Sequence, residues 1–335
     1  PDDLGITLAH EHSLIDMDIY LSMPEEATER WYVEQPVTIE ILGGVMKRLF
    51  HNKDVVKLID EKHQTEELYK YYLSGGNSLV DTTSIGIARD PLALTRISRA
   101  TGLNIIMGAS YYVPLSYPDD IHEKTEQDIT DSIIRDVTVG VKETGVKSGI
   151  IGEIGNFWPT NETSRKILRA STHASVETGA AISIHPGGHP DALLQHLNDV
   201  IEAGADPTRV IMGHLDVFPY SPEVVKEIAE TGATLEFDRF GSENTNIAGG
   251  IPVAFPSDVQ RIERIEQLIE WGYESQIVVA QDVCMKIDLV SHGGGGYVHI
   301  LDNIIPRMRK RGFSNENIDN ILIELTGKEP PVMDG

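Results

Sequence analysis

The sequence predicts an α/β fold, a (β/α)8 TIM barrel with an elaborated helical segment after strand 1. Two observations lead there. Eight short apolar runs alternate with helix-length amphipathic segments, and several of those runs stop on a histidine, aspartate or glutamate. Strands alternating with helices imply a parallel sheet, and eight such units suggest a closed barrel. A doubly wound open sheet is the alternative arrangement of the same alternation. The 335 residues contain no low-complexity tract or linker, so a single domain, 1–335, is expected.

The first strand is Ile6-Thr7-Leu8-Ala9-His10-Glu11-His12. Strand side chains alternate between faces, which predicts Ile6, Leu8, His10 and His12 on one face and Thr7, Ala9 and Glu11 on the other. Two imidazoles spaced i, i+2 can chelate one cation, or can be inert hydrogen-bonded residues at a strand end. Residues 13–74 lack a buried-strand pattern and are interrupted by Pro24 and Pro36. Helices are predicted there over 38–50 and 54–73, the second ending at Gly75-Gly76. The remaining strands are predicted at 77–81, 104–110, 148–153, 181–185, 209–214, 234–237 and 276–282. Helices are expected over 91–101, 162–179, 190–204, 222–232 and 259–272, several stopping at glycine.

The polar residues sharpen this frame. Strand four ends Ile150-Ile151-Gly152-Glu153, strand five ends at His185, strand six at His214 and strand eight at Asp282. Barrel enzymes build their sites at this end of the strands. A lone histidine there is ordinarily a hydrogen-bonded core residue, and a lone glutamate a solvated loop charge. Six such residues at matching positions are better explained by convergence on one centre. Four imidazoles and two carboxylates can hold two divalent cations with one carboxylate bridging, and the nitrogen and oxygen set suits zinc, manganese, cobalt or iron.

The run His10-Glu11-His12, Gly152-Glu153-Ile154-Gly155, His185, Met212-Gly213-His214-Leu215-Asp216 and Ala280-Gln281-Asp282 resembles the phosphotriesterase family of the amidohydrolase superfamily. The nearest likeness is to its phosphotriesterase-related branch, which also matches residues 152–158, 235–243 and 293–306. The resemblance covers nearly the whole chain. It implies a (β/α)8 barrel with a binuclear metal centre: His10, His12 and Asp282 on the more buried ion, His185 and His214 on the exposed one, Glu153 bridging. Three departures stand out. Many members bridge with a carboxylated lysine where this chain has Glu153. Organophosphate-degrading members carry a histidine where Arg239 follows Asp238. Residues 326–335 diverge from the usual ending.

The implied chemistry is hydrolysis of a small-molecule ester, lactone or N-acyl amide by a metal-bridging hydroxide, with Asp282 accepting its proton. A phosphotriesterase and a mononuclear deaminase are the alternatives, and a catalytically silent small-molecule-binding protein the third class. Tyr111 and Tyr112, after strand three, are candidates for the pocket wall or simply packing aromatics. Arg239 is a candidate anchor for an anionic substrate group, or else a surface ion pair. Cys284 is expected to be buried and inert, and the run Gly293–Gly296 to be a flexible loop at the site, since no phosphate-binding strand–loop–helix surrounds it. A formal charge of −24 disfavours nucleic acid or an anionic membrane as partner. The expected partner is therefore a small-molecule substrate, with a homodimer left open. One cysteine excludes an internal disulfide, no apolar run is long enough to span a membrane, and a cytoplasmic location is expected.

Overall fold

A computed structural model describes residues 4–217, 220–243, 245–248 and 251–324. Eight strands form its frame: β1 (Thr7–Glu11), β2 (Ser78–Asp81), β3 (Asn104–Ala109), β4 (Ile150–Gly155), β5 (Ile182–His185), β6 (Val210–Met212), β7 (Thr234–Phe237) and β8 (Ile277–Val279). Each pairs in parallel with the next in chain order, and helices run between them, so the chain is a (β/α)8 barrel. Leu8, Leu79, Ile151, Ile182, Val210, Leu235 and Ile277 are all buried, as expected of strands covered on both faces. The predicted strands are all present. Those ending at His214 and Asp282 are trimmed because these two residues leave the ladder with left-handed φ angles of 57° and 48°. Such conformations are strained for residues with a β-carbon and here sit at the barrel mouth.

Between the Leu8–Leu79 and Glu11–Asp81 pairings, three steps along β1 match two along β2. This bulge breaks the simple alternation expected of residues 6–12. Glu11 lies at the seam between β8 and β1. Its two carboxylate oxygens accept from the amides of Gln281 and Val283 at 2.8 and 2.9 Å, and the Asp282 amide donates to the His10 carbonyl at 3.3 Å. Side chain and backbone together therefore close the seam.

The segment after β1 is elaborated as expected but less helical. The helix expected over 38–50 covers only Ile39–Val45. The one expected over 54–73 begins at Glu61, because Lys57–Leu58 instead pairs antiparallel with Ile15–Asp16. Asp60 caps this helix by accepting from the His63 amide. Elements not anticipated include the helix Glu126–Thr138 between β3 and β4, the antiparallel pair Thr245–Ala248 with Ile251–Ala254 after β7, and the helices Ile305–Arg311 and Asn315–Asp319. The divergent residues 326–335 lie outside those described. Among the described residues, no helix is long and apolar enough to cross a membrane.

One buried charge braces the mouth. Arg261, on the helix Asp258–Glu270, is fully buried and donates through Nε to Asp216 at 2.6 Å, through Nη1 to Asp258 at 3.0 Å and through Nη2 to the Ser242 carbonyl at 2.8 Å. Asp216 in turn accepts from the amides of Asp238 and Arg239, just past β7. Removing one partner of such a network leaves buried charge uncompensated. Arg261→Met is expected to destabilise the protein by about 3–5 kcal/mol. Denaturant unfolding measures this; a loss below about 1 kcal/mol would mean the network does not brace the mouth.

Candidate active site

The barrel mouth brings His10, His12, Glu153, His185, His214 and Asp282 together, all of them buried except His185, which is partly exposed. Glu153 is central. Its Oε1 lies 3.4 Å from His12 Nε2, and its Oε2 lies 2.9 Å from His185 Nδ1, 3.4 Å from His214 Nε2 and 3.6 Å from His10 Nε2. Asp282 Oδ1 adds a contact of 3.2 Å to His12 Nε2. His214 Nε2 and His185 Nδ1 are 2.7 Å apart. One carboxylate oxygen thus faces His12 beside Asp282, and the other faces the remaining imidazoles.

The outer ring nitrogens decide what the inner ones can do. Thr83 gives its single hydroxyl proton to the Leu14 carbonyl, so its oxygen accepts from His12 Nδ1 at 2.9 Å. When neutral, His12 therefore presents its Nε2 lone pair to two carboxylates. His10 Nδ1 donates to Glu236 Oε2 at 3.0 Å, and His214 Nδ1 to Asp238 Oδ1 at 2.8 Å, which leaves their Nε2 lone pairs pointing inward too. An inward nitrogen facing a carboxylate oxygen is stable only with a positive charge between them, either a second ring proton or a bound cation.

His10 Nε2 and Asp282 Oδ1 are buried with no hydrogen-bond partner among the described residues. Ligand atoms arranged tetrahedrally about 2.0–2.1 Å from a cation lie about 3.3–3.4 Å from one another, close to several separations here. The donor set fits metal ions: His10, His12 and Asp282 can gather around one cation, and so can His10, Glu153 and His214. His185 Nδ1 lies within reach of the second group. The field at the site favours positive charge. Burial opposes protonation of His10, yet Glu236 and Glu153 raise it well above the usual imidazole range. Burial likewise opposes protonated His12, but Asp282 and Glu153 lift it to about 9.

Arg239 is no surface residue. It is buried, and its Nη1 donates to Asp282 Oδ2 at 2.8 Å, to the Asp282 carbonyl at 2.7 Å and to Cys284 Sγ at 3.4 Å. The surface ion pair is thereby corrected to a buried one, made with a partner 43 residues away. Burial works against the ionised Asp282, but Arg239 and then His12 hold its carboxyl well below the ordinary range. Tyr112 packs its ring edge-on against His185 with centroids 5.0 Å apart, and its hydroxyl accepts from Tyr20 at 3.5 Å. Tyr111 is buried under Lys124, whose Nζ lies 6.0 Å from the ring centre. Cys284 is buried. The glycine run is packed where a flexible loop was expected: a β-carbon on Gly294 would fall 2.2 Å from the Asp288 carbonyl oxygen, and one on Gly295 2.5 Å from His299.

Sequence reasoning missed four residues that support this cluster: Glu11, Thr83, Glu236 and Asp238. Burial pushes the Glu11 carboxyl up to about 8, against the pull of the Val283 and Gln281 amides. Glu236 was detectable as a charge inside an apolar strand, two residues before Asp238. A cavity of about 330 Å3 is lined by Phe240, Ser242, Gln281, Val283 and His299 among others. None of the six candidate ligands lines it.

Carboxylates set among four imidazoles at the C-terminal mouth of a parallel barrel define a barrel hydrolase with a cluster able to bind metal. The chain belongs to the phosphotriesterase family, whose family model matches residues 1–328. The N-acetyltaurine hydrolase of Dictyostelium discoideum is 39% identical to it, over 96% of this chain and 92% of its own length. The human N-acetyltaurine hydrolase is 36% identical over 97% of this chain and 93% of its own length. Among solved structures, the resiniferatoxin-binding protein of Rhodobacter sphaeroides superposes with a TM-score of 0.93 at 32% identity, covering 97% of this chain and 90% of that one.

Proposed function

We propose that this chain is a binuclear metal-dependent hydrolase that cleaves the amide bond of a small N-acyl amine. The observation that carries the reading is Glu153, whose Oε1 faces His12 beside Asp282 and whose Oε2 faces His185, His214 and, at the longest distance, His10. His10, His12 and Asp282 would hold one divalent ion, zinc or a similar cation, His185 and His214 the other, and Glu153 both. Bound there, such ions supply a hydroxide nucleophile at neutral pH and polarise the scissile carbonyl.

The chain's own residues do the rest. Asp282 keeps Oδ2 on Arg239 and turns Oδ1 to the centre, where it can take a proton and pass it to the departing amine. Arg239 fixes that orientation from behind, which revises its role from an anchor for substrate anions. Tyr112, against His185, forms part of the wall and excludes water from one side. The amide specificity rests on the relatives named N-acetyltaurine hydrolase, which match nearly all of this chain. With Arg239 in place of a histidine after Asp238, the proton-relay pair of organophosphate-degrading members is incomplete, which weighs against phosphotriesters.

Elemental analysis after metal loading and desalting is expected to plateau at two divalent ions per chain. A plateau at one in fully active protein overturns the binuclear reading. The loaded protein is expected to release amine from N-acetylated amino sulfonates or amino acids faster than it opens lactones or cleaves aryl phosphotriesters. Turnover confined to lactones or phosphotriesters would overturn the amide assignment.

A further inference from the structure

Glu236 is a fully buried carboxylate in the middle of an apolar strand and takes no chemical step in the hydrolysis. Its Oε2 lies 3.0 Å from His10 Nδ1, while its Oε1 has no hydrogen-bond partner among the described residues. The neighbouring strand leaves room for it. A β-carbon on Gly213 would come within 3.0 Å of Glu236 Oε2 and 3.0 Å of the Ile184 carbonyl oxygen. The other carboxylate near His10 is Asp238, whose Oδ2 stands 3.6 Å from Nδ1 and accepts from the His214 amide at 2.8 Å. Glu236 is thus the acceptor within hydrogen-bond distance of that ring nitrogen.

We propose that Glu236 is the positioning residue of the more buried ion site: it holds the His10 proton on Nδ1 and so presents Nε2 as a ligand. The inference rests on the metal-centre reading above. A neutral imidazole carries one proton, and its two tautomers differ in which nitrogen bears it. With no acceptor at Nδ1, a buried N–H would be left unpaired, which is unfavourable. The proton is then no longer held at Nδ1 and can shift to Nε2, which lies 3.6 Å from Glu153 Oε2, as far as Nδ1 lies from Asp238 Oδ2. A protonated Nε2 cannot bind a cation. Glu236 thereby separates two functions that one imidazole cannot perform at the same nitrogen.

Three variants test this: Glu236→Leu, Glu236→Ala and Glu236→Gln. Chelator competition on each purified protein gives the affinity of both ions, and histidine 15N spectra of the metal-free protein report which ring nitrogen carries the proton. Loss of the acceptor in Glu236→Leu, or in Glu236→Ala if leucine is not accommodated, is expected to weaken one ion of the two by about 10–100-fold. The same variant is expected to lose the His10 Nδ1–H signal. Glu236→Gln keeps a carbonyl that accepts from Nδ1, so it is expected to restore the signal and most of the affinity. Unchanged affinity for both ions with an unchanged spectrum, in either acceptor-free variant, overturns the proposal. So does equal weakening of both ions, which would show a general loss of structure. Wild-type protein that takes up no ion fails the metal-centre reading itself, an outcome distinct from both.

Discussion

Asp282→Asn is expected to lower kcat by about 1,000-fold while the protein still folds and retains at least one ion. The amide has the same shape and can still accept from Arg239 Nη1 through its carbonyl oxygen, and the second Arg239 contact, to the backbone carbonyl of residue 282, is untouched. What the substitution removes is a group that can carry a proton, and general acid–base catalysis by a positioned side chain contributes about 100- to 10,000-fold. Oδ1 has no hydrogen-bond partner among the described residues and lies 3.2 Å from His12 Nε2, so it faces the centre free to take a proton. Steady-state kinetics beside elemental analysis separates the outcomes. Turnover within tenfold of wild type would place the proton transfer elsewhere.

The second large effect is expected at Glu153. Glu153→Ala deletes the one carboxylate that contacts all four imidazoles, so both ions are expected to bind more than about 100-fold more weakly, beyond the loss typical of an outer partner. Turnover should fall with them. Since glutamate brings its own carboxylate, metal-stripped protein is expected to regain activity on adding metal alone, at a rate indifferent to bicarbonate. Lys166, one of the lysines that a carbamate bridge would need, donates instead to the carbonyls of Ile121 and Lys124 at 3.1 and 2.6 Å. Reconstitution in degassed buffer with and without bicarbonate checks this. A bicarbonate requirement would mean that a lysine carbamate and not Glu153 forms the bridge.

The strands were legible because each is a short apolar run, and the candidate ligands because several of those runs stop on a polar residue. The helix Glu126–Thr138 was missed although Thr125 and Asp128 form a capping box that marks its start, and Ile129 and Ile133 carry its buried face. The bulge in β1 could not be read, since it depends on how β2 lies against β1, and period-two reasoning assumes an unbroken ladder. The surroundings of Arg239 were hidden for a related reason: its partner is distant in sequence, and a charged residue after a strand is ordinarily solvated. Glu236 was visible as a letter but not as a function. An inward carboxylate has meaning only once the imidazole opposite it is known.

The seam at Glu11 bears on how such a centre could be moved to another protein. His10 and His12 supply two candidate ligands, while the residue between them grips the amides on either side of the third, Asp282. The His10 carbonyl also accepts from the Asp282 amide. Three consecutive residues at the end of β1, His10, Glu11 and the following His12, therefore set both the side chains and the backbone of the inner group. Grafting a histidine pair alone onto a different barrel would transplant two donors and leave the aspartate to wander. The portable unit is the whole tripeptide together with the loop it clasps.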